Sequence, residues 1–193
     1  MFRLKLRTDP YWAALATKDA EEILSDHAWC EQKAATTAIS LISQYSDFPS
    51  LVTELTGLAQ EELQHFSRVI ELIRKRNLNL RPQRKDLYVN ELMNWRKKEG
   101  SRIEKLQDHL LVAAMIEARS CDRFRVLSEQ VLDQELATFY RELMESEAAH
   151  YTSFITLARD ITGRRTTDKR WFELLEFEDF IIDKYKEGKG IHG

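Results

Sequence analysis

Six residues of this chain have the types and the spacing of metal ligands: Glu31, Glu62, His65, Glu117, Glu147 and His150. They form two similar sets, each a lone glutamate followed by a Glu-x-x-His pair, 31 residues later in one set and 30 in the other. Residues three apart share a helix face, so each pair presents a carboxylate and an imidazole together. Two lone glutamates and two such pairs, one on each of four helices, are the ligand set of a carboxylate-bridged two-metal site in a four-helix bundle.

The residues around these ligands indicate that they face the interior of the bundle. Apolar residues recur every three to four positions along each predicted helix, and the ligands occupy positions in that seam. In the second helix the seam is Leu51, Leu55, Leu58, Glu62, His65, Val69 and Leu72. The first helix is looser, with Leu24, His27, Glu31, Ala34, Ala38, Leu41 and Tyr45. Four unpaired carboxylates in a core are very costly, and two divalent cations would balance their charge.

Caps, turns and periodicity predict the helices that must position these ligands. The four bundle helices are expected at about 19–44, 49–76, 101–130 and 133–163, and shorter ones at 10–17, 87–98 and 168–186. Short connections make helices one and two, and three and four, antiparallel hairpins. The long segment between helices two and three is a crossover along the bundle. We therefore expect one all-α domain over residues 1–193, with its core at about 19–163.

Composition narrows the class of protein. With 43% hydrophobic and 32% charged residues, the chain suits one globule of amphipathic helices. It has no apolar stretch long enough to span a membrane and no signal peptide at its start, so a cytoplasmic location without stable membrane association is expected. The two cysteines, Cys30 and Cys121, fit reduced thiols, and we interpret them as buried bystanders of the metal site.

Four segments around the ligands resemble the tRNA-(2-methylthio-N6-isopentenyladenosine) hydroxylase family. They are DHAWCEQKAATTAI (26–39), LAQEELQHFSRVIELI (58–73), AAMIEARSCDRF (113–124) and ESEAAHYTSF (145–154). The resemblance covers nearly the whole chain and implies a ferritin-like bundle with a non-haem di-iron centre. It also implies a monooxygenase that hydroxylates the isopentenyl group of a hypermodified adenosine in tRNA. The iron ligands carried over are the same six residues.

The resemblance also implies the cofactors and partners. Two iron ions would react with O₂ and take two further electrons from a reductase, and the substrate would be tRNA. We expect Glu62 and Glu147 to bridge the metals, 3–4 Å apart as in other paired-metal sites. Three alternatives remain: a ferroxidase or iron-storage protein, a di-iron hydroxylase of a quinone or lipid, and a manganese catalase or non-catalytic bundle.

Basic residues give candidate contacts to the RNA. The segment 74–85 contains no acid, and its cations are Arg74, Lys75, Arg76, Arg81, Arg84 and Lys85. We expect Arg74, Lys75, Arg81, Arg84 and Lys85 to bind substrate phosphates. The simpler interpretation is that they are helix C-terminal cations and solvated loop residues, and the basic runs at 96–98 and 164–170 are the alternatives. Aromatic residues near the ligands are interpreted first as core, although one or two could line an apolar pocket: Trp29, Phe66, Phe124, Tyr140 and Phe154.

Overall fold

The computed structural model describes residues 4–185 and residue 191, and this part of the chain contains seven α-helices and no strand. The helices are α1 (Pro10–Ala16), α2 (Ala20–Gln44), α3 (Pro49–Lys75), α4 (Leu87–Trp95), α5 (Arg102–Gln130), α6 (Gln134–Thr162) and α7 (Arg164–Tyr185). They belong to two compact units. The hairpin unit comprises residues 16–85, and the second unit comprises residues up to 15 together with those from 86 onward.

The hairpin unit is built from α2 and α3, which pack against each other. The Asp19 side chain caps α2 by accepting a hydrogen bond from the backbone N–H of Glu22, at 3.0 Å. Pro49 begins α3, where its missing N–H costs nothing because the first helical N–H groups have no intrahelical partner. All seven predicted seam positions of α3 are buried, which confirms the periodicity that assigned them to the core.

A loop at residues 76–85 follows α3 and is held against α2. Asn77 adopts a positive φ of 54°, a conformation that asparagine tolerates better than most residues. The Ser25 hydroxyl accepts from the backbone N–H of Arg81 at 2.9 Å and donates to the Asn79 carbonyl at 3.3 Å. The Trp29 indole N–H donates to the Arg81 carbonyl at 2.8 Å. These contacts fix the loop over the half-buried Trp29.

In the second unit, α5 and α6 form the other hairpin, and α7 packs on α6 and α4. Ser101 and Glu104 form the predicted capping box at the start of α5, and Asp133 caps α6. A buried polar cluster joins three helices, because Glu178 on α7 accepts from both the Arg119 guanidinium on α5 and the Tyr88 hydroxyl on α4.

Two predicted helix ends need correction. The helix expected at 87–98 ends at Trp95, because Arg96 is extended and the backbone N–H of Lys97 donates to the Asp108 side chain at 2.7 Å. The helix expected at 168–186 begins at Arg164, directly after Gly163. Gly163 has a φ of 84°, which ends α6 and lets the chain turn into α7 within one residue. The predicted end at residue 186 lies outside the described residues.

Candidate metal centre

Three of the predicted ligands meet inside the hairpin unit. Glu31 on α2 and Glu62 and His65 on α3 are all buried. The Nδ1 atom of His65 lies 3.5 Å from Oε2 of Glu62 and 3.7 Å from Oε2 of Glu31. A ligand atom from each of the three lies within 4.8 Å of the others. This set, one lone glutamate with one Glu-x-x-His pair, is a half-site with donors close enough to share an ion.

The second unit contains the matching half-site. Glu117 on α5 and Glu147 and His150 on α6 are buried, and their ligand atoms also lie within 4.8 Å of one another. The Nδ1 atom of His150 lies 3.8 Å from Oε2 of Glu147. Each unit therefore assembles the three ligands that the sequence assigned to it.

His27 adds a polar group that distinguishes the first half-site. It is fully buried on α2, one turn before Glu31, and its Nε2 lies 2.5 Å from Oε1 of that carboxylate. Burial alone would raise the pKa of the Glu31 carboxyl, but hydrogen bonds from His27 and His65 outweigh it and hold the pKa well below its ordinary value. The equivalent place on α5, one turn before Glu117, is occupied by Ala113.

The predicted seam of the first helix includes His27, but the sequence analysis assigns it no role. Its spacing does indicate one, because a histidine four residues before a candidate ligand lies on the same helix face and can reach that ligand. We therefore add His27 to the candidate site as a residue that contacts a ligand, not as a ligand itself.

The donor set of both half-sites fits a divalent metal that reacts with oxygen. Carboxylates and imidazoles bind iron and manganese well, and neither half-site contains a thiolate among its three donors. Cys121 lies near Glu147, but burial and, after it, that negative charge raise the pKa of its thiol to about 11. Its Sγ donates to the Met144 carbonyl at 3.4 Å. Cys121 is therefore a protonated thiol, which does not coordinate metals strongly.

The predicted substrate-binding cations divide into two groups. Arg74, Lys75 and Lys85 have exposed side chains. Arg81 and Arg84 instead form ion pairs with acids at the start of α2. Arg81 contacts Asp19 at 2.8 Å, Glu21 at 2.9 Å and Glu22 at 3.6 Å. Arg84 contacts Glu22 at 2.7 Å and Asp26 at 3.1 Å. Binding of RNA phosphates by these five residues stays a prediction, and the ion pairs weigh against Arg81 and Arg84.

The aromatic residues near the ligands also divide by burial. Phe124, Tyr140 and Phe154 are almost completely buried, and Phe124 stacks on Tyr140 with ring centroids 5.5 Å apart. They form core, as the simpler interpretation held. Trp29 and Phe66 are only half-buried, and their ring centroids lie 6.5 Å apart. Trp29 is two residues before Glu31 and Phe66 directly follows His65, so this pair is the partly accessible apolar surface beside the first half-site.

Comparison with known proteins identifies relatives of this chain. This chain is 42% identical over 153 residues to a Pseudomonas putida protein named tRNA 2-(methylsulfanyl)-N(6)-isopentenyladenosine(37) hydroxylase. The alignment covers 79% of this chain and 73% of that protein. A Salmonella typhimurium protein of the same name is 28% identical over 213 aligned positions, covering 86% and 77% of the two chains.

No helix in the described part of the chain is both long and apolar enough to cross a membrane.

Among solved structures, the fold matches a Synechococcus protein titled "Protein 43 with aldehyde deformylating oxygenase activity". The TM-score is 0.92 at 32% identity, over 100% of this chain and 96% of that one. The fold class is all-α and ferritin-like, as the sequence predicted. Residues 2–193 match the sequence profile of the family described as tRNA-(MS[2]IO[6]A)-hydroxylase (MiaE). On this match and on the 42% identity with the Pseudomonas putida protein, the chain belongs to that tRNA hydroxylase family.

Proposed function

We propose that this protein is a di-iron monooxygenase that hydroxylates the isopentenyl group of 2-(methylsulfanyl)-N6-isopentenyladenosine in tRNA. The observation that carries the proposal is the pair of buried half-sites in a member of this hydroxylase family. Family membership favours a tRNA substrate over the ferroxidase, quinone and lipid alternatives. A cytoplasmic location follows from the proposed substrate.

Glu31, Glu62 and His65 would hold one iron ion, and Glu117, Glu147 and His150 would hold the other. The physical support is charge balance, since two divalent ions carry the charge that four buried carboxylates require. Glu62 and Glu147 belong to the two Glu-x-x-His pairs, and each would hold iron together with the histidine of its own pair. His27 holds Glu31 in one orientation by its hydrogen bond, which keeps that carboxylate ionised and directed for coordination.

The overall reaction fixes what else the enzyme needs. The substrate C–H bond, O₂, two electrons and two protons give the C–OH product and one water molecule. When bound, iron supplies the redox chemistry that activates O₂. The two electrons are consumed in addition to the substrate and O₂, and we propose an external reductase as their source.

The side chains beside the first half-site have a different task. The isopentenyl group is apolar, and Trp29 and Phe66 offer it a partly accessible apolar surface next to Glu31 and His65. The hydrogen bond from the Trp29 indole to the Arg81 carbonyl fixes the orientation of that ring. We propose that this pair contacts the prenyl group and shields it from water during the reaction.

The decisive experiment is mass spectrometry of tRNA nucleosides from cells with and without the protein. We expect a hydroxylated prenyl-adenosine that disappears on deletion and returns with the wild-type gene. The matched control is complementation with Glu147→Gln, which preserves side-chain volume but removes one ligand charge, and should not restore the nucleoside. An unchanged nucleoside profile on deletion would reject the proposed function. The ferroxidase alternative would then be tested by measuring ferrous-iron consumption without RNA.

A further inference from the structure

The basic run at 96–98 lies in a different setting from the cations of the 76–85 loop. A cavity of about 390 Å³ opens where the chain turns from α4 into α5. Its charged and polar walls come from Arg96, Lys97, Lys98, Lys105 and His109. Among the residues that the structure describes, no carboxylate lines this α4–α5 cavity.

The turn that forms the cavity is held by a buried carboxylate. Asp108 is completely buried and accepts from the backbone N–H of Lys97 at 2.7 Å. It also accepts two hydrogen bonds from the Arg170 guanidinium, each at 2.8 Å. The same guanidinium lies 3.6 Å from the ring centroid of Trp95, the last residue of α4. The negative charge of Asp108 is thus paired with the Arg170 guanidinium, and these contacts hold the cavity wall in place.

Arg96 is positioned at the cavity by a neutral imidazole. Its Nη1 lies 2.8 Å from Nδ1 and 2.9 Å from Nε2 of His109, and its Nε donates to the Met93 carbonyl at 3.0 Å. Burial and, after it, the charge of Arg96 lower the pKa of His109 to about 4. His109 is therefore uncharged near neutral pH and can sit against a guanidinium without repulsion.

Three lysines line the cavity, and their ion pairs determine its net charge. The Lys97 ammonium pairs with Glu104 at 2.7 Å. The ammonium groups of Lys98 and Lys105 have no ion pair or hydrogen bond with any described residue. Arg81, by contrast, contacts three carboxylates, and Arg84 contacts two. Lys98 and Lys105 therefore leave a concentrated positive charge on a concave surface, which favours an anion.

We propose that the α4–α5 cavity binds a backbone phosphate of the tRNA substrate, through Lys98 and Lys105 with Arg96 at its wall. This inference rests on the proposed function, which supplies RNA as the partner. Helix α5 carries both the cavity and Glu117, with Lys105 twelve residues and His109 eight residues before that ligand. At 1.5 Å per residue they lie about 18 and about 12 Å from it along the axis. That interval spans roughly four to five stacked nucleotides.

The test compares tRNA binding by the wild-type protein, the Lys98→Gln/Lys105→Gln variant and a Lys18→Gln/Lys33→Gln control. The control makes the same change in net charge at two lysines of the hairpin unit that do not line the cavity. We expect roughly tenfold weaker binding for the cavity variant at low salt. The salt slope should be smaller by about 0.7–0.9, because the variant loses one phosphate contact. The control should match the wild type.

The outcomes separate this proposal from the proposed function. If the wild-type protein does not bind tRNA, the function itself fails. If the wild type binds and the cavity variant keeps the same affinity and slope, only the cavity assignment is overturned. A parallel assay uses vesicles of phosphatidylcholine with phosphatidylserine. If the cavity variant lost vesicle binding but kept its tRNA binding, the cavity would bind lipid headgroups. That result would also overturn the assignment.

Discussion

The imidazole of His27 and the carboxylate of Glu31 form a buried hydrogen bond of 2.5 Å between residues one turn apart on α2. This contact orients one ligand of the first half-site, whereas Ala113 occupies the corresponding place beside Glu117. The two half-sites therefore share a ligand pattern but differ in how their lone glutamates are held. The two metals are expected to differ in affinity for the same reason.

Replacing His27 with alanine should weaken metal binding without removing a ligand. Residues that orient metal ligands typically contribute 10–100-fold in affinity, so we expect a loss of about that size at one of the two metals. Competition with a chelator measures it directly, and the optical spectrum of cobalt-substituted protein reports whether one site changes. His27→Gln, which can still donate to the carboxylate, should recover part of the affinity. Identical chelator competition curves for wild type and His27→Ala would refute a positioning role.

Removing a ligand from the second half-site should separate catalysis from folding. Glu117→Gln and His150→Ala are expected to abolish hydroxylation and to bind fewer than two iron ions per chain. The metal-free variants should remain helical, and Glu117→Gln should have an unchanged or higher Tm, because an ionised buried carboxylate destabilises the metal-free fold. Circular dichroism, iron analysis and turnover of tRNA check the three parts. Full activity in either variant would remove that residue from the centre.

The cluster of Arg119, Glu178 and Tyr88 should matter for stability and not for metal binding. Glu178→Ala removes the carboxylate that accepts from the buried Arg119 guanidinium, which keeps the Asp122 carboxylate 3.7 Å away. We expect the free energy of unfolding to fall by about 3 kcal/mol. Tyr88→Phe removes one hydrogen bond to a charged group and should cost about 1–2 kcal/mol. Urea unfolding of the metal-free protein measures both. Lys184→Gln breaks the exposed pair with Glu91 and serves as the control, with an effect of about 0–1 kcal/mol.

His109 should make the protein less stable as the pH falls. Its pKa in the folded state is about 4, against an ordinary value of 6.5, so the unfolded chain takes up a proton first. The contribution of neutral His109 to the free energy of unfolding is fully present above pH 6.5 and is lost as the pH falls from 6.5 to 4. Between pH 7.5 and 5.5, above the range where most carboxylates titrate, the free energy of unfolding should fall less in His109→Gln than in the wild type. Unfolding of both proteins at these two pH values measures the difference. In Arg96→Gln, NMR titration should show the His109 pKa moving toward 6.5.

Local signals in the sequence predicted most of the helices and the burial of the six candidate ligands. Ser101 with Glu104, Asp133 and the seam of α3 act within one or two turns, so their effect can be read from neighbouring residues. The state of the basic residues could not be read in that way. Arg81 and Arg84 are neutralised by acids about 60 residues earlier in the chain, while Lys98 and Lys105 have no such partner in the described part of the chain. In the sequence, both groups are simply clusters of cations.

The 76–85 loop is joined to α2 by ion pairs of Arg81 and Arg84 as well as by neutral hydrogen bonds. Screening weakens the ion pairs at exposed positions, and the same rise in salt releases RNA from a basic surface. The loop also holds Trp29, the ring proposed to shield the prenyl group. Turnover on tRNA will therefore fall with ionic strength for two reasons, whereas turnover on a free nucleoside will respond only to loosening of the loop. The difference between those two salt profiles isolates the electrostatic part of RNA recognition from the integrity of the pocket.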